Sequence, residues 1–139
     1  MIDGQRLVFV DTGAWVALRS KRDQHHVRAR SAVRRLRRER LGLVTTEWVL
    51  AETFTLLKAR GHVQSALDLG AALQAGQLGE VVQSTPQLRQ SAWERFARYR
   101  DLSVGWVDCA SFAVMDELGV RHFFGFDDDF VRAGFTPFR

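Results

Sequence analysis

The chain is short of several residue types whose presence would mark particular classes of protein. It has one cysteine, Cys109, so no internal disulfide can form and no second thiol is present for a structural zinc site. Cys109 sits in an apolar helical pattern and reads as core. No uninterrupted apolar run reaches the roughly 18 residues of a membrane span, and Met1-Ile2-Asp3-Gly4 lacks the basic and then apolar layout of a signal peptide. The expectation is a cytoplasmic protein with no membrane association. Repeats, low-complexity tracts and linker-like stretches are also missing, so the 139 residues are expected to form one domain, 1–139. Lysine is nearly absent. Lys21 and Lys58 are the only two, and the net charge of +4 therefore rests on arginine. Arginine forks match phosphate geometry and suit a polyanionic partner. The coding bias of an arginine-rich genome gives the same composition, and composition does not separate the two.

What is present is an alternation of strand and helix patterns. Leu7-Val8-Phe9-Val10, wholly apolar and ended by Asp11-Thr12-Gly13, has the pattern of a strand buried on both faces of a parallel sheet. Apolar residues at Val27, Ala32, Val33 and Leu36 among many arginines predict an amphipathic helix from about Gln24 to Arg40, closed by Gly42. Leu43–Thr45 reads as a second strand. Thr46-Glu47 opens a helix that stops at Arg60-Gly61, and another helix runs from about His62 to Ala75. Val81-Val82 is a third short strand. Pro86 suits the first turn of a helix reaching about Arg100, with Trp93 and Phe96 expected on its inner face. A helix from about Val107 to Leu118, closed by Gly119, precedes a last strand, His122–Phe126. The pattern predicts an α/β sandwich with a mostly parallel central sheet, whose function gathers at the carboxyl ends of the strands.

That edge is where the acids fall. Asp11 follows the first strand, Asp127 and Asp129 follow the last, and Asp108 lies in the first turn of a helix, where the helix dipole favours an anion. Each has an ordinary alternative: Asp11 as a turn residue, Asp108 as an N-terminal helix acid, Asp128 or Asp129 as the N-cap of Phe130–Ala133. Glu52 lies four residues after Trp48 and four before Leu56, on what reads as an apolar face without a nearby arginine or lysine. A buried carboxylate there, aimed at the same edge as the others, needs a cation. A hard divalent ion held by oxygen ligands, magnesium or manganese, is the natural one. His25, His26, His62 and His122 show no zinc-like spacing and read as structural.

Several stretches together carry a family resemblance: Val8-Phe9-Val10-Asp11-Thr12 with Ala14–Leu18, Glu52 in "EWVLAETFTLL", Asp108 in "VDCASFAVM", and "GFDDDFVRAGF". In this order, over nearly the whole chain, they resemble the PIN domain, in particular the toxin ribonucleases of VapBC toxin–antitoxin systems. Asp23, His25 and His26 form a short stretch also common there. The resemblance implies a three-layer α/β/α fold, a magnesium- or manganese-dependent endoribonuclease acting on RNA, a homodimer, and a cognate antitoxin. It also implies that Asp11, Glu52, Asp108 and Asp127 form an acidic quartet, with Asp129 an additional acid near the metal and Asp128 pointing away. Gly105 and Gly125 stand where family members often carry Ser or Thr, which implies a lost hydrogen bond and weaker activity. Two other functions fit the pattern less fully. A phosphatase or phosphotransferase with an aspartyl nucleophile wants an acid at Gly13 and a lysine near the last strand, and has neither. A catalytically silent RNA-binding or antitoxin-binding domain is the other.

Overall fold

The computed structural model describes residues 6–138. Its centre is a five-stranded sheet in the order β3-β2-β1-β4-β5, formed by β1 (Leu7–Val10), β2 (Gly42–Thr46), β3 (Glu80–Val82), β4 (His122–Phe124) and β5 (Thr136–Pro137). Every pairing is parallel. β1 lies in the middle, and Val8, Phe9 and Val10 are buried, as a strand covered on both faces requires.

Seven helices flank the sheet among the described residues: α1 (Thr12–Arg19), α2 (His26–Arg38), α3 (Glu47–Ala59), α4 (Val63–Gln74), α5 (Pro86–Arg98), α6 (Trp106–Leu118) and α7 (Asp128–Arg132). The chain moves outward from β1 to β2 and β3, then returns to lay β4 and β5 on the other side of β1. With right-handed crossovers, this reversal puts α1–α4 on one face and α5–α7 on the other. The result is a three-layer α/β/α fold. Most contacts follow the layers, since α1 packs on α2 and α3, α3 on α4, and α6 on α5 and α7, while α3 also meets α6 across the sheet edge through Trp48 and Trp106. Phe9 and Phe123 are cross-strand partners, and both stack towards Phe130 of α7, which also meets Phe112 of α6 edge to face at 4.9 Å. This aromatic core supports the end of β4, where the sheet's strand order reverses.

Several expectations change. α1 begins directly after Asp11 and was not legible as a helix, because Thr12, Ala14, Trp15, Val16 and Ala17 are all buried and leave no polar period to read. Gly42 does not close α2. It opens β2 by pairing with Leu7 and donating to the Arg6 carbonyl, while Arg40, at φ 54°, makes the left-handed turn after the helix. Trp93 and Phe96 point outward rather than inward, at 58% and 40% exposure; Leu88 and Ala92 are the buried residues of α5. β4 stops at Phe124, so Gly125 and Phe126 lie beyond the sheet. The N-cap of α7 is neither Asp128 nor Asp129 but Asp127, whose Oδ1 accepts the Asp129 N–H at 2.9 Å. β5 has only two residues, one of them Pro137 on an edge, too short a run to show a period. The other boundaries agree with the reading to within a residue or two. Thr46 and Thr85 cap α3 and α5 with their hydroxyls, and Gly61 and Gly119 follow their helices at positive φ.

Candidate metal centre at the carboxyl edge of the sheet

The reversal in strand order opens a crevice between the ends of β1 and β4, the place where ligands bind in open parallel sheets. Asp11 leaves β1 there, and its backbone N–H donates to the Phe124 carbonyl at 3.0 Å, tying the two strand ends together. Asp11 occupies the N-cap position of α1 but makes no side-chain capping bond, so its carboxylate is left for another use. Asp127 caps α7 just after β4, and Asp108 sits in the first turn of α6. One carboxylate oxygen from each of Asp11, Asp108 and Asp127 lies within 4.8 Å of the other two.

The three groups differ in solvation. Asp11 is 5% exposed, and burial pushes its carboxyl up to about 8, with repulsion from Asp108, Asp127 and Glu52 adding to the shift against a hydrogen bond from the Thr12 backbone. Asp108 is half-buried and rises to about 7, again first through burial and then through Asp127, Asp129 and Glu52. Anionic oxygens this close repel unless a cation or proton lies among them. Three hard oxygen donors suit magnesium or manganese. The Thr12 hydroxyl, on the wall of the same cavity, is the one buried side-chain polar atom among the described residues without a hydrogen-bond partner. A site with close acids and an orphaned hydroxyl fits a hydrated ion.

The remaining acids stand apart. Glu52 faces the cavity from α3 but is exposed, contrary to the expectation of a buried carboxylate. Of the stripe of Trp48, Glu52 and Leu56, Glu52 and Leu56 line the cavity wall, whereas Val49, Leu50, Thr53 and Leu57 form the core face of α3. Exposed, Glu52 needs no partner, and it acts on Asp11 and Asp108 through its charge. Asp129 pairs with Arg132 at 3.0 Å and borders a smaller cavity of about 210 Å³ between α7 and the α5–α6 connection. Asp128 is exposed and lies on the wall of neither cavity.

The main cavity has a volume of about 450 Å³. Sequence reasoning gave no site role to several of its wall residues, among them Asp23, Arg60, Trp106 and Phe126, and read His25 as structural. Nothing local marks Arg60 or Phe126, which reach the cavity through the packing of α3 and the end of β4. His26, by contrast, is structural, with Nδ1 donating to the Ala17 carbonyl at 2.7 Å. His62 stands at the N-cap position of α4 without a side-chain capping bond, its Nε2 3.4 Å from the Ser20 hydroxyl, and His122 is a strand residue. The two glycines differ. A side chain at Gly105 would meet open space, whereas a Cβ at Gly125 would lie 3.1 Å from the Asp11 Cβ. Gly125 therefore leaves room for the buried acid, and a hydroxyl-bearing residue there would crowd it.

A parallel α/β sheet with carboxylates clustered at its switch point defines the class of α/β folds whose acids could hold a divalent ion at the strand ends. Comparison with known proteins is consistent with this. The PIN domain model matches residues 8–136. The chain is 37% identical over 135 residues to the 23S rRNA-specific endonuclease VapC20 of Mycobacterium tuberculosis, in strains CDC 1551 / Oshkosh and ATCC 25618 / H37Rv, covering 96% of this chain and 98% of that protein. The crystal structure of Mycobacterium tuberculosis VapC20, described as a sarcin–ricin loop cleaving toxin, superposes with a TM-score of 0.82 at 35% identity, covering 93% of this chain and 96% of that one. The chain belongs to the PIN domain family.

Proposed function

We propose that this protein is a metal-dependent endoribonuclease of the VapC type, the toxin of a toxin–antitoxin pair, and that an exposed ribosomal RNA loop is its substrate class. The observation that carries this is the convergence of Asp11, Asp108 and Asp127 within 4.8 Å at the switch point of a PIN fold. The likeness to VapC20, named for cleavage of 23S rRNA, supports the substrate class.

Asp11, Asp108 and Asp127 would hold a magnesium or manganese ion. Bound there, the ion supplies charge neutralisation at the phosphoryl oxygens and a more acidic water. Asp11 is the fixed member, held by the β1–β4 junction. Asp127 is aimed by its own capping bond to Asp129 N–H. Glu52, exposed across the cavity, is free to accept a proton from water or to complete the ligand set. Asp129 enters through its backbone bond to Asp127 and its charge on Asp108, with its own carboxylate held by Arg132. Arg60 is the one lysine or arginine on the cavity wall among the described residues, which removes the lysine that an aspartyl-nucleophile phosphatase requires.

Partners follow from the same reading: RNA, a cognate antitoxin, and a second copy of the chain. Trp93 and Phe96, exposed beside one another at a ring separation of 6.2 Å, supply the apolar patch that self-association would cover. Among the described residues no helix is long and apolar enough to cross a membrane, in keeping with a toxin acting on RNA in the cytoplasm. The deciding experiment incubates purified protein with stem-loop RNA and with a generic phosphate ester, each with and without manganese. Metal-dependent RNA cleavage alone supports the proposal. Ester hydrolysis alone, or RNA binding without cleavage, would replace it with the phosphatase or silent-domain reading.

A further inference from the structure

The cavity that receives RNA under this proposal has the wrong charge for its substrate. Its wall carries five carboxylates, Asp11, Asp23, Glu52, Asp108 and Asp127, and a single guanidinium, Arg60, which is engaged by Asp23 at 3.3 Å. A bound ion offsets part of that charge but places only the reacting phosphate. The flanking nucleotide has to be held by something other than charge, and aromatic surface can do this, because bases stack on aromatic side chains with little regard for sequence.

Two aromatic surfaces reach the cavity. Trp106 is already contacted by Trp48, Trp93 and Phe96 at 6.0–6.5 Å between ring centroids. The other is a parallel stack: the His25 and Phe126 rings lie 4.2 Å apart at 9°, partly exposed, on the cavity wall. Phe126 immediately precedes Asp127, so the stack adjoins the acids. Neither ring nitrogen of His25 is hydrogen-bonded by a described residue, and His25 stands at the N-cap position of α2 without capping it through its side chain. Phe126 also packs against the core and meets Phe124 edge to face at 6.3 Å, which fixes its ring at the mouth of the cavity. Arg28, exposed one turn along α2, lies 5.4 Å from the Phe126 ring centre. It brings positive charge to the same spot, and the outward arginines of α2 extend from it.

We propose that the His25–Phe126 stack seats an unpaired RNA base next to the cleaved phosphodiester, with Arg28 meeting that nucleotide's phosphate. The inference rests on the ribonuclease reading and adds which residues position the substrate. The base extends the His25–Phe126 pair, with Arg28 leaving the ring it overlies to meet the phosphate, and the acids then meet the adjoining phosphodiester. An unpaired nucleotide is required, because a base held in a duplex cannot reach the stack.

The test uses the full chain carrying Asp108→Asn, so that RNA stays intact, and the stem-loop RNA that the wild type cleaves. Binding is read by fluorescence anisotropy while each loop nucleotide in turn is made abasic. One position is expected to weaken binding by about 5- to 150-fold, the range for a stacked base. Adding Phe126→Leu, which keeps apolar volume and removes the π face, should reduce that penalty to below about twofold and leave the other positions unchanged. His25→Ala should act in the same direction and carries the test if Phe126→Leu does not fold. Arg28→Gln should flatten the salt slope by about one phosphate's share. Abasic penalties that are equal with and without Phe126→Leu and His25→Ala, or absent at every position, overturn the stacking seat and leave the ribonuclease reading standing. An RNA neither bound nor cut by the wild type overturns both.

Discussion

Two regions of this molecule concentrate charge of one sign, and they carry it differently. At the sheet edge Asp11, Asp108 and Asp127 share a small volume with their oxygens within 4.8 Å. On α2, Arg28, Arg30, Arg34, Arg35, Arg37 and Arg38 crowd a single helix. The arginines are exposed, Arg35 pairs with Glu39 and lies over Phe138, and water screens the rest. Like charges four apart on such a helix cost only a few tenths of a kcal/mol per pair. The acids are drawn into the protein, where burial carries Asp11 to about 8 and Asp108 to about 7. Burial, more than the number of charges, separates a surface suited to a partner from a site whose acids must share a cation or a proton.

The largest effect expected from breaking this contrast is on cleavage. Asp11→Asn or Asp108→Asn keeps the shape and removes a charge from the cluster, so metal-dependent RNA cleavage should fall by more than about a hundredfold, as should wild-type cleavage in excess EDTA. A fluorescent RNA assay reads both, and undiminished cleavage in EDTA would falsify the role given to the trio.

Next in size is stability. In EDTA the folded carboxyls of Asp11 and Asp108 hold protons that the unfolded chain releases near pH 4. The native state binds more protons across this interval, so stability should fall as pH rises from about 4 to about 8 and then level off. Asp11→Asn escapes the Asp11 part of the loss. It should match the wild type near pH 4 and melt higher above neutrality, by roughly 4 °C for each kcal/mol regained. Thermal melts at several pH values decide the matter, and a variant less stable than wild type at pH 8 would mean that the acids do not act as one cluster.

Magnesium added to the wild type at neutral pH should restore the lost stability in proportion to the logarithm of its concentration, reaching about 2.7 kcal/mol at a hundred times the dissociation constant. Asp11→Asn should respond weakly. Equal responses in the two proteins would place the ion elsewhere.

The smallest change belongs to α2. Replacing Arg34 and Arg38 by Gln should leave stability within about 0.5 kcal/mol. It should nonetheless flatten the salt dependence of RNA or antitoxin binding, by about 0.7 for each phosphate that is no longer neutralised if RNA is the partner. Unchanged slopes for both partners would make α2 a solvated face and reduce the comparison to one charged site.

Much of this architecture was legible because it is local. A four-residue apolar run such as Leu7–Val10, ended by turn residues, suits a covered strand, Thr46 before Glu47 and Thr85 before Pro86 are capping chemistry, and Gly61 and Gly119 supply the left-handed turns that end helices. The strand–helix alternation required a parallel sheet, and the acids at element ends marked its functional edge. Periodicity tells which residues share a face but not what lies opposite that face. Packing alone made Glu52 an exposed wall residue and turned Trp93 and Phe96 outward. It also put the left-handed turn at Arg40, because Gly42 was taken by its pairing with Leu7. The meeting of Asp11 with Asp108 and Asp127, and the stack of His25 on Phe126, join residues about a hundred positions apart. Their contact depends on the strand order that sets β4 beside β1, and strand order is a property of the assembled sheet.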